Sequence, residues 1–483
     1  MKTFNLVENP WIPVRYLDGR NALVSLETAF RECADIADLD CAPHERISLM
    51  RLLVCITQAE LGAPDTPDDW DGFGDDLESR APAYLRRADI FPHFNLFGDG
   101  QRFLQVEVPS RGDPVKSSKL IPHLATGNNP TLFDHDGCDE DRRLDSSSLA
   151  LALLSFQCFY PLYGAGYKGK GPCVDGNMAH TLLIGENLKQ TILLNCLTAD
   201  WILEYYQPDG LGRPIWELKS GADVQRLIAT KSYLGRMVPR HRDLKLVADG
   251  SGFFLEQCGL EYPRFEESRE PSATVVVITK KEVAERRLLP ARLGRSVWRD
   301  LHLMTVLRQA RSEDAKAPMA LQIQSQRGVE EFHVWVGALV TDLKAKILDT
   351  MESTFPLPRT MFTEAGRARY EAGVLFAEGR SNQLYGAVKQ YGSSLKNESP
   401  PTDEAKKHFW HALDQQSSTL LEMIRTPATM GGLSFGEGTD PWTLAVRRAA
   451  RDAYESVCPR QTPRQLQAYA AGLKVLNPKP KKK

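Results

Sequence analysis

Up to about residue 357 the apolar positions of this chain change their period from one segment to the next; beyond Pro358 they settle into long helical patterns. The opening FNLVENPWIPVRYLDGRNALVSL carries β-type residues interrupted by Pro10, Pro13 and the turn pair Asp18-Gly19, which predicts a hairpin. HERISLMRLLVCITQAELG follows with Ile47, Leu49, Met50, Leu53 and Ile56 on one 3.6-period face, a core helix. Residues 61–80 are acidic and proline-rich and read as loop, and a second apolar helix runs over 146–159. Between these and Pro358 lie HTLLIGENLKQTILLNCL, apolar enough to be buried, and SATVVVITKK, whose β-branched run predicts a strand. EEFHVWVGALVTDLKAKIL predicts a strand, a turn at Thr341-Asp342 and the start of a helix.

After Pro358 the patterns TEAGRARYEAGVLFAEG, TDEAKKHFWHALDQQSSTLLEMI, DPWTLAVRRAARDAYESV and TPRQLQAYAAGLKVL are separated by Gly-, Pro- and Ser-rich breaks. Asp440-Pro441 and Thr462-Pro463 each set a capping side chain before a proline suited to the first helical position. Helices with short connections predict a bundle. The expected fold class is therefore α+β: a large mixed N-terminal domain with irregular loops over 1–357, a four-helix bundle over 358–476, and a basic tail over 477–483 expected to be disordered.

Charge refines this division. The chain carries 60 Lys+Arg against 62 Asp+Glu, a net charge of −2, so no global basic signal announces nucleic acid. From residue 358 onward, 19 Lys+Arg face 12 Asp+Glu, a local +7 on an otherwise acidic body. Such a module is an electrostatic footprint for phosphate backbones, with an ordinary solvated helical surface as the plain alternative. The first residues have no apolar run of the signal-peptide type and no stretch approaches the roughly 20 apolar residues of a membrane span. Nine scattered cysteines without a C-x-x-C pair point to a reduced, cytoplasmic protein.

Two stretches carry candidate chemistry. ATGNNPTLFDHDGCDEDRRL at 125–144 is crowded with turn formers, and long loops in compact domains are frequently functional. YGAGYKGKG at 163–171 contains Gly164, Gly166 and Gly169 in the G-x-G-x-x-G spacing of a dinucleotide site. That fingerprint needs a strand before it and a helix opening on the last glycine. Here a helical pattern precedes, and KGKGPCVDG, which follows, cannot begin a helix. A nucleotide- or NAD-dependent enzyme using these glycines stays as the alternative reading. The remaining possibilities for the stretch itself are a glycine loop with Lys168 and Lys170 facing an anionic surface, or a surface turn with solvated lysines. His135 and Cys138 among Asp134, Asp136 and Asp139, and His408 with His411, lack a completing ligand pair, so neither a metal nor a cofactor is expected.

Several segments, taken in order, resemble one family. NLVENPWIPV at the N-terminus, LLVCI at 52–56, KQTILLN at 189–195, ITKK at 278–281 and AKKHFWHAL at 405–413 are similar to segments of the large subunit of Cascade, the type I-E CRISPR surveillance complex, known as the CasA family. The resemblance covers most of the chain piecewise. It implies an antiviral-defence subunit that reads the short protospacer-adjacent motif (PAM) on double-stranded target DNA, helps open the duplex and helps recruit a helicase-nuclease, with no covalent chemistry of its own. It implies as partners the backbone, small and guide-end Cascade subunits and the CRISPR RNA, and no membrane. Guide pairing supplies sequence specificity in such complexes, so the protein reads only shape and a few base edges.

Carried over by position, the family's PAM-sensing loop falls on Leu132, Phe133 and Asp134, and its glycine loop on Gly164, Ala165, Gly166 and Lys168. Lys280 and Lys281 are candidates for backbone contacts and Lys344 for the neighbourhood of a strand-separating wedge. On the bundle, Arg367, Arg369, Lys406, Lys407, Arg447, Arg448 and Arg451 are candidates for holding the displaced strand. Three departures stand out: Ala165 interrupts the glycine run, Asp134 replaces a neutral amide, and Cys258 is the sole cysteine where some members carry a zinc-type insertion. A carboxylate repels phosphate, so Asp134 argues against that contact or implies an altered PAM preference.

Overall fold

The computed structural model describes residues 3–108, 112–121, 143–159, 171–174, 177–218, 230–255, 269–280, 283–307, 316–342, 347–425, 435–436 and 438–478. The chain forms two compact units. One comprises Met1–Gly294, Leu307–Val329 and His333–Thr354; the other comprises Arg295–Val306, Glu330–Phe332 and Phe355–Lys483.

The first unit begins with the expected hairpin. β1 (Ile12–Tyr16) and β2 (Asn21–Val24) pair antiparallel from Ile12↔Val24 to Arg15↔Asn21, and β3 (Ile36–Leu39) covers the other edge of β1. Gly19 takes a φ of 87° in the turn, where a side chain would be strained, and Asp18 Oδ1 accepts the Arg20 N–H at 2.9 Å. Ile12, Val14 and Tyr16 are buried while Arg15 is exposed, the alternation of a half-buried strand. Between β2 and β3, α1 (Leu26–Arg31) starts at Ser25, whose hydroxyl accepts the Thr28 N–H at 3.1 Å.

α2 (Pro43–Leu61) is the centre of this unit. Pro43 occupies its first position and the Glu45 carboxylate accepts the Ala42 N–H at 3.0 Å. Every residue from 47 to 58 is buried, so the helix is enclosed on all sides by α3 (Leu77–Leu85), α4 (Ser146–Phe159) and later elements. A small sheet joins β4 (Val115–Lys116) to two later strands. β5 (His180–Ile184) leads to α5 (Leu188–Leu194), capped by Asn187 Oδ1 on the Gln190 N–H at 3.0 Å, and then to α6 (Ala199–Tyr205) and α7 (Tyr233–Met237). β6 (Leu244–Leu246) and β7 (Gly252–Leu255) complete the small sheet in the order β4-β7-β6.

β8 (Val275–Lys280) is the strand that SATVVVITKK predicts, paired with β9 (Val283–Leu288) from Val275↔Leu288 to Lys280↔Val283. The short α8 (Leu301–Met304) and α9 (Met319–Gln326) precede β10 (Glu331–Thr341), which pairs antiparallel with β5 and, on its other edge, with β11 (Ile347–Pro358). β11 corrects the expected helix start: the open edge of β10 and the Thr- and Ser-rich sequence after Asp349 favour a twelve-residue strand over the local helix preference of KAKIL.

The second unit holds the C-terminal four-helix bundle. α10 (Glu364–Leu395) packs along α11 (Thr402–Asp414), α13 (Pro441–Val457) and α14 (Pro463–Leu476), with the short α12 (Ser417–Met423) following α11. The capping signals act as their chemistry dictates. Asp440 Oδ1 accepts the Thr443 N–H at 2.8 Å, and Thr462 and Gln465 exchange side-chain and backbone bonds at 3.2 and 3.1 Å. At Gly472 an added Cβ would stand 2.6 Å from the Ala387 carbonyl and 2.1 Å from the Tyr454 hydroxyl, so glycine is what lets α14 lie close against α10. Arg295–Val306 belongs to this unit through Trp298, whose Nε1–H donates to Asp414 Oδ1 at 2.7 Å and whose carbonyl accepts the Tyr370 hydroxyl at 2.7 Å.

Candidate nucleic-acid interface

Buried helix α4 links the bases of both candidate loops. Residues 122–142 enter its N-terminal end and residues 160–170 leave its C-terminal end. The helix has 14 residues, so the two bases lie roughly 20 Å apart along it.

The base of 122–142 rests on the turn before β7. On one side the Ser117 N–H donates to the Ser251 carbonyl at 3.1 Å, and on the other the Leu144 N–H donates to the Gly250 carbonyl at 3.1 Å. Gly250 has a φ of 80°, and an added Cβ there would stand 2.1 Å from the Leu144 carbonyl oxygen, so the two backbones meet only because the side chain is absent. Arg143 reaches Asp249 at 3.6 Å, and Asp145 Oδ1 caps α4 on the Ser148 N–H at 2.9 Å.

The base of 160–170 is held inside the core. The Cys173 N–H donates to the Cys158 carbonyl at 3.1 Å, closing the two ends of the segment on each other. Cys173 is tied further by His180, whose Nε2 lies 2.9 Å from the Cys173 carbonyl while Nδ1 lies 2.8 Å from Ser272 Oγ. A carbonyl only accepts, so neutral His180 carries its proton on Nε2 and its Nδ1 accepts from the serine. Burial lowers the His180 pKa and favours that neutral form. Ser272 Oγ also stands 3.2 Å from Glu270 Oε1, and its single proton serves one of the two neighbours at a time.

Glu270 is fully buried between two arginines. It is hydrogen-bonded to Arg51 Nη1, and its other oxygen lies 3.3 Å from Arg236 Nε. Arg51 also donates from Nε to the Met237 carbonyl and from Nη2 to the Arg236 carbonyl, both at 2.8 Å. Burial alone would raise the Glu270 pKa, but Arg51 and Arg236 bring its carboxyl below the ordinary range. This network fastens α2 to α7 and to the strand-side residues 270–272. Its signal in the sequence is one arginine, Arg51, inside an apolar helical run, with its acidic partner 219 residues away.

Of the residues singled out from the sequence, Leu132, Phe133, Asp134, Gly164, Ala165, Gly166, Lys168, Lys281 and Lys344 lie outside the described residues, as do Asp136, Cys138 and Cys258. Lys280 is the last residue of β8, opposite Val283. In the bundle, Arg367 is half-buried, its Nη1 shared between the carbonyls of Phe362 at 2.9 Å and Thr305 at 3.3 Å, and burial lowers its pKa. Arg369 is half-buried on the same helix. Lys406 sets its ammonium 4.6 Å from the Tyr385 ring centre, and Lys407 is exposed.

Arg447, Arg448 and Arg451 share the exposed face of α13. Arg447 donates to the Gly436 carbonyl, Arg448 lies 3.6 Å from Asp452, and Arg451 donates to Glu455 at 3.0 Å. His408, on α11, lies 3.8 Å from Glu404.

Three comparisons bear on this architecture. The family model described as CRISPR-associated protein Cse1 matches residues 5–453. The CRISPR-associated protein CasA/Cse1 of Thermus thermophilus is 28% identical over 492 residues, covering 94% of this chain and 92% of that protein. The solved structure of Thermus thermophilus CasA (Cse1) superposes with a TM-score of 0.75 at 25% identity, covering 99% of this chain and 98% of that one. A chain of a structure titled CRISPR RNA-guided surveillance complex shares the fold, with a TM-score of 0.71 at 17% identity over 99% and 100% of the two chains. A match that runs from the first hairpin into α13, joined to a mixed N-terminal unit and a C-terminal helical bundle, places this chain in the CRISPR-associated Cse1 family, also called CasA.

Proposed function

We propose that this chain is the PAM-recognition large subunit of a type I-E Cascade, a DNA-binding component without covalent chemistry of its own. The observation that carries the proposal is the family match over 5–453, supported by the end-to-end likeness to a chain of a CRISPR RNA-guided surveillance complex. In this reading the glycine segment at 164–168 approaches the minor groove of the target duplex. That groove is about 6 Å wide and admits backbone more readily than side chains, and its degenerate donor and acceptor code is read permissively by N–H groups. The buried base at Cys158, Cys173 and His180 supplies the rigid support that such a backbone probe requires. Leu132 and Phe133 act as the apolar part of the PAM-sensing loop, and Lys280, Lys281 and the bundle cations supply phosphate contacts. The partners are the other Cascade subunits, the CRISPR RNA, the target duplex and the helicase-nuclease.

Against the dinucleotide alternative, which calls for a strand before the glycines, the last described element before them is helix α4. The test is a Gly166→Glu, Lys168→Glu variant assembled into the whole complex and titrated with PAM-bearing duplex and with a pre-opened target. Duplex binding is expected to weaken at least roughly tenfold, the scale of one good base contact, while pre-opened binding stays within about twofold. Undiminished duplex binding would remove the glycine segment from the account.

A further inference from the structure

Flanking the glycine segment in the sequence are two thiols that PAM reading alone leaves without a role. Cys158 and Cys173 are 0% and 1% exposed, and their backbones are hydrogen-bonded to each other. The backbone bond from Cys173 N to Cys158 O is 3.1 Å long. Adding the N–Cα bond and the carbonyl O to Cα span to that length caps the Cα separation at about 7 Å, within the range a disulfide tolerates. The pair differs from the other core cysteines. Burial pushes the Cys55 and Cys196 thiols far up, whereas the hydrogen bond from Cys173 and then, against burial, the charge of nearby Arg51 hold the Cys158 thiol below its usual value. Burial pushes the partner thiol, Cys173, up.

We infer that Cys158 and Cys173 are a redox-modification site: an oxidant of the azodicarboxamide or low-molecular-weight disulfide class joins them in a disulfide across the base of the glycine segment. With diamide the two thiols lose two protons and two electrons, one S–S bond forms, and the N=N bond is reduced to the hydrazine. With a small disulfide, the Cys158 thiolate displaces one small thiol and the Cys173 thiol displaces the second from the mixed disulfide. An S–S bond is about 2.05 Å long. Forming it fixes the spacing of Cys158 and Cys173, next to the Cys173 carbonyl that His180 holds. The functional half of the inference rests on the proposed function: the joined form binds PAM-bearing duplex more weakly. Both thiols are enclosed, so the reaction runs at the rate at which this part of the core opens, and a small neutral oxidant is the suitable probe.

The experiment treats the assembled complex with diamide, digests it without reduction, and looks by mass spectrometry for the peptide linking residues 158 and 173. In parallel, binding to PAM-bearing duplex and to pre-opened target is measured before oxidation, after it, and after dithiothreitol. The linked peptide is expected, with duplex binding weakened at least roughly fivefold, pre-opened binding unchanged, and full recovery on reduction. Cys158→Ser is expected to abolish both the linked peptide and the response to diamide, whereas Cys458→Ser, a change in the other unit, retains both. Absence of the linked peptide overturns the inference whatever the glycine segment does. A linked peptide with unchanged duplex binding, in a complex where Gly166→Glu, Lys168→Glu is defective, overturns the coupling. If that double variant is also fully active, the proposed function fails while the thiol pair stands.

Discussion

Glu270 shows how much one buried side chain holds together in this protein. It is the sole carboxylate bonded to both Arg51 and Arg236 among the described ion pairs, and it sits at 0% exposure. Replacing it by Gln leaves two guanidinium groups in the core without their counter-charge, and breaking a buried pair from one side typically costs about 3–5 kcal/mol. Urea unfolding of Glu270→Gln is expected to show a loss of that size, against less than about 1 kcal/mol for Glu422→Gln on the exposed bundle surface. The same site sets a pH dependence. The depressed Glu270 carboxyl contributes stability that is present above its unfolded pKa near 4.5 and lost as pH falls through its lower folded value. His180, also depressed in the fold, resists a proton that the unfolded chain accepts below about 6.5, so stability falls as pH drops below that point. The urea midpoint is therefore expected to fall between pH 7.5 and 5.5, and to fall less in His180→Gln. At this scale the sequence was legible only in part. Arg51 is visible as a charge in an apolar run, but its partner is distant in the chain, and no periodicity links positions 51 and 270.

Local chemistry governs the elements wherever both partners of a contact are near in sequence. The Asp440 and Thr462 caps, the Asp18-Gly19 turn and the 146–159 helix were all readable because each rests on residues a few positions apart. The long α10 was not. The run of Gly379, Ser381, Gly386 and Gly392 reads as a break, yet the helix continues through it to Leu395 because packing against α13 and α14 overrides local preference. Two glycines separate these effects. Gly379 has open space around its missing Cβ, so Gly379→Ala is expected to stabilise the bundle by about 0.5–1 kcal/mol, while Gly472→Ala, blocked by Ala387 and Tyr454, is expected to destabilise it by about 1–3 kcal/mol. Thermal unfolding of both variants checks the contrast. Strand β11 escaped the sequence for a related reason: its identity depends on the free edge of β10, which KAKIL does not announce.

Across the whole molecule, the two compact units are each stitched from segments distant in sequence, and Arg295–Val306 joins the bundle through Trp298 rather than through its neighbours along the chain. The two candidate segments were legible as composition, but their proposed role rests on the ordered resemblance, because glycines and turn formers alone do not distinguish a groove probe from a surface turn. What the structure adds is their support, α4 with a fixed base at each end. The exposed α13 arginines already have carboxylate or carbonyl neighbours within the chain, so as phosphate contacts they exchange one partner for another. Arg448→Gln, Arg451→Gln is expected to lower the salt slope of complex binding by at most about 2, with little change in PAM preference. The most direct measurement is the affinity of Cascade assembled with and without this chain for two duplexes that differ only in the PAM. Discrimination between them is expected only when the chain is present, at roughly tenfold or more; equal discrimination without it rules out the proposed role.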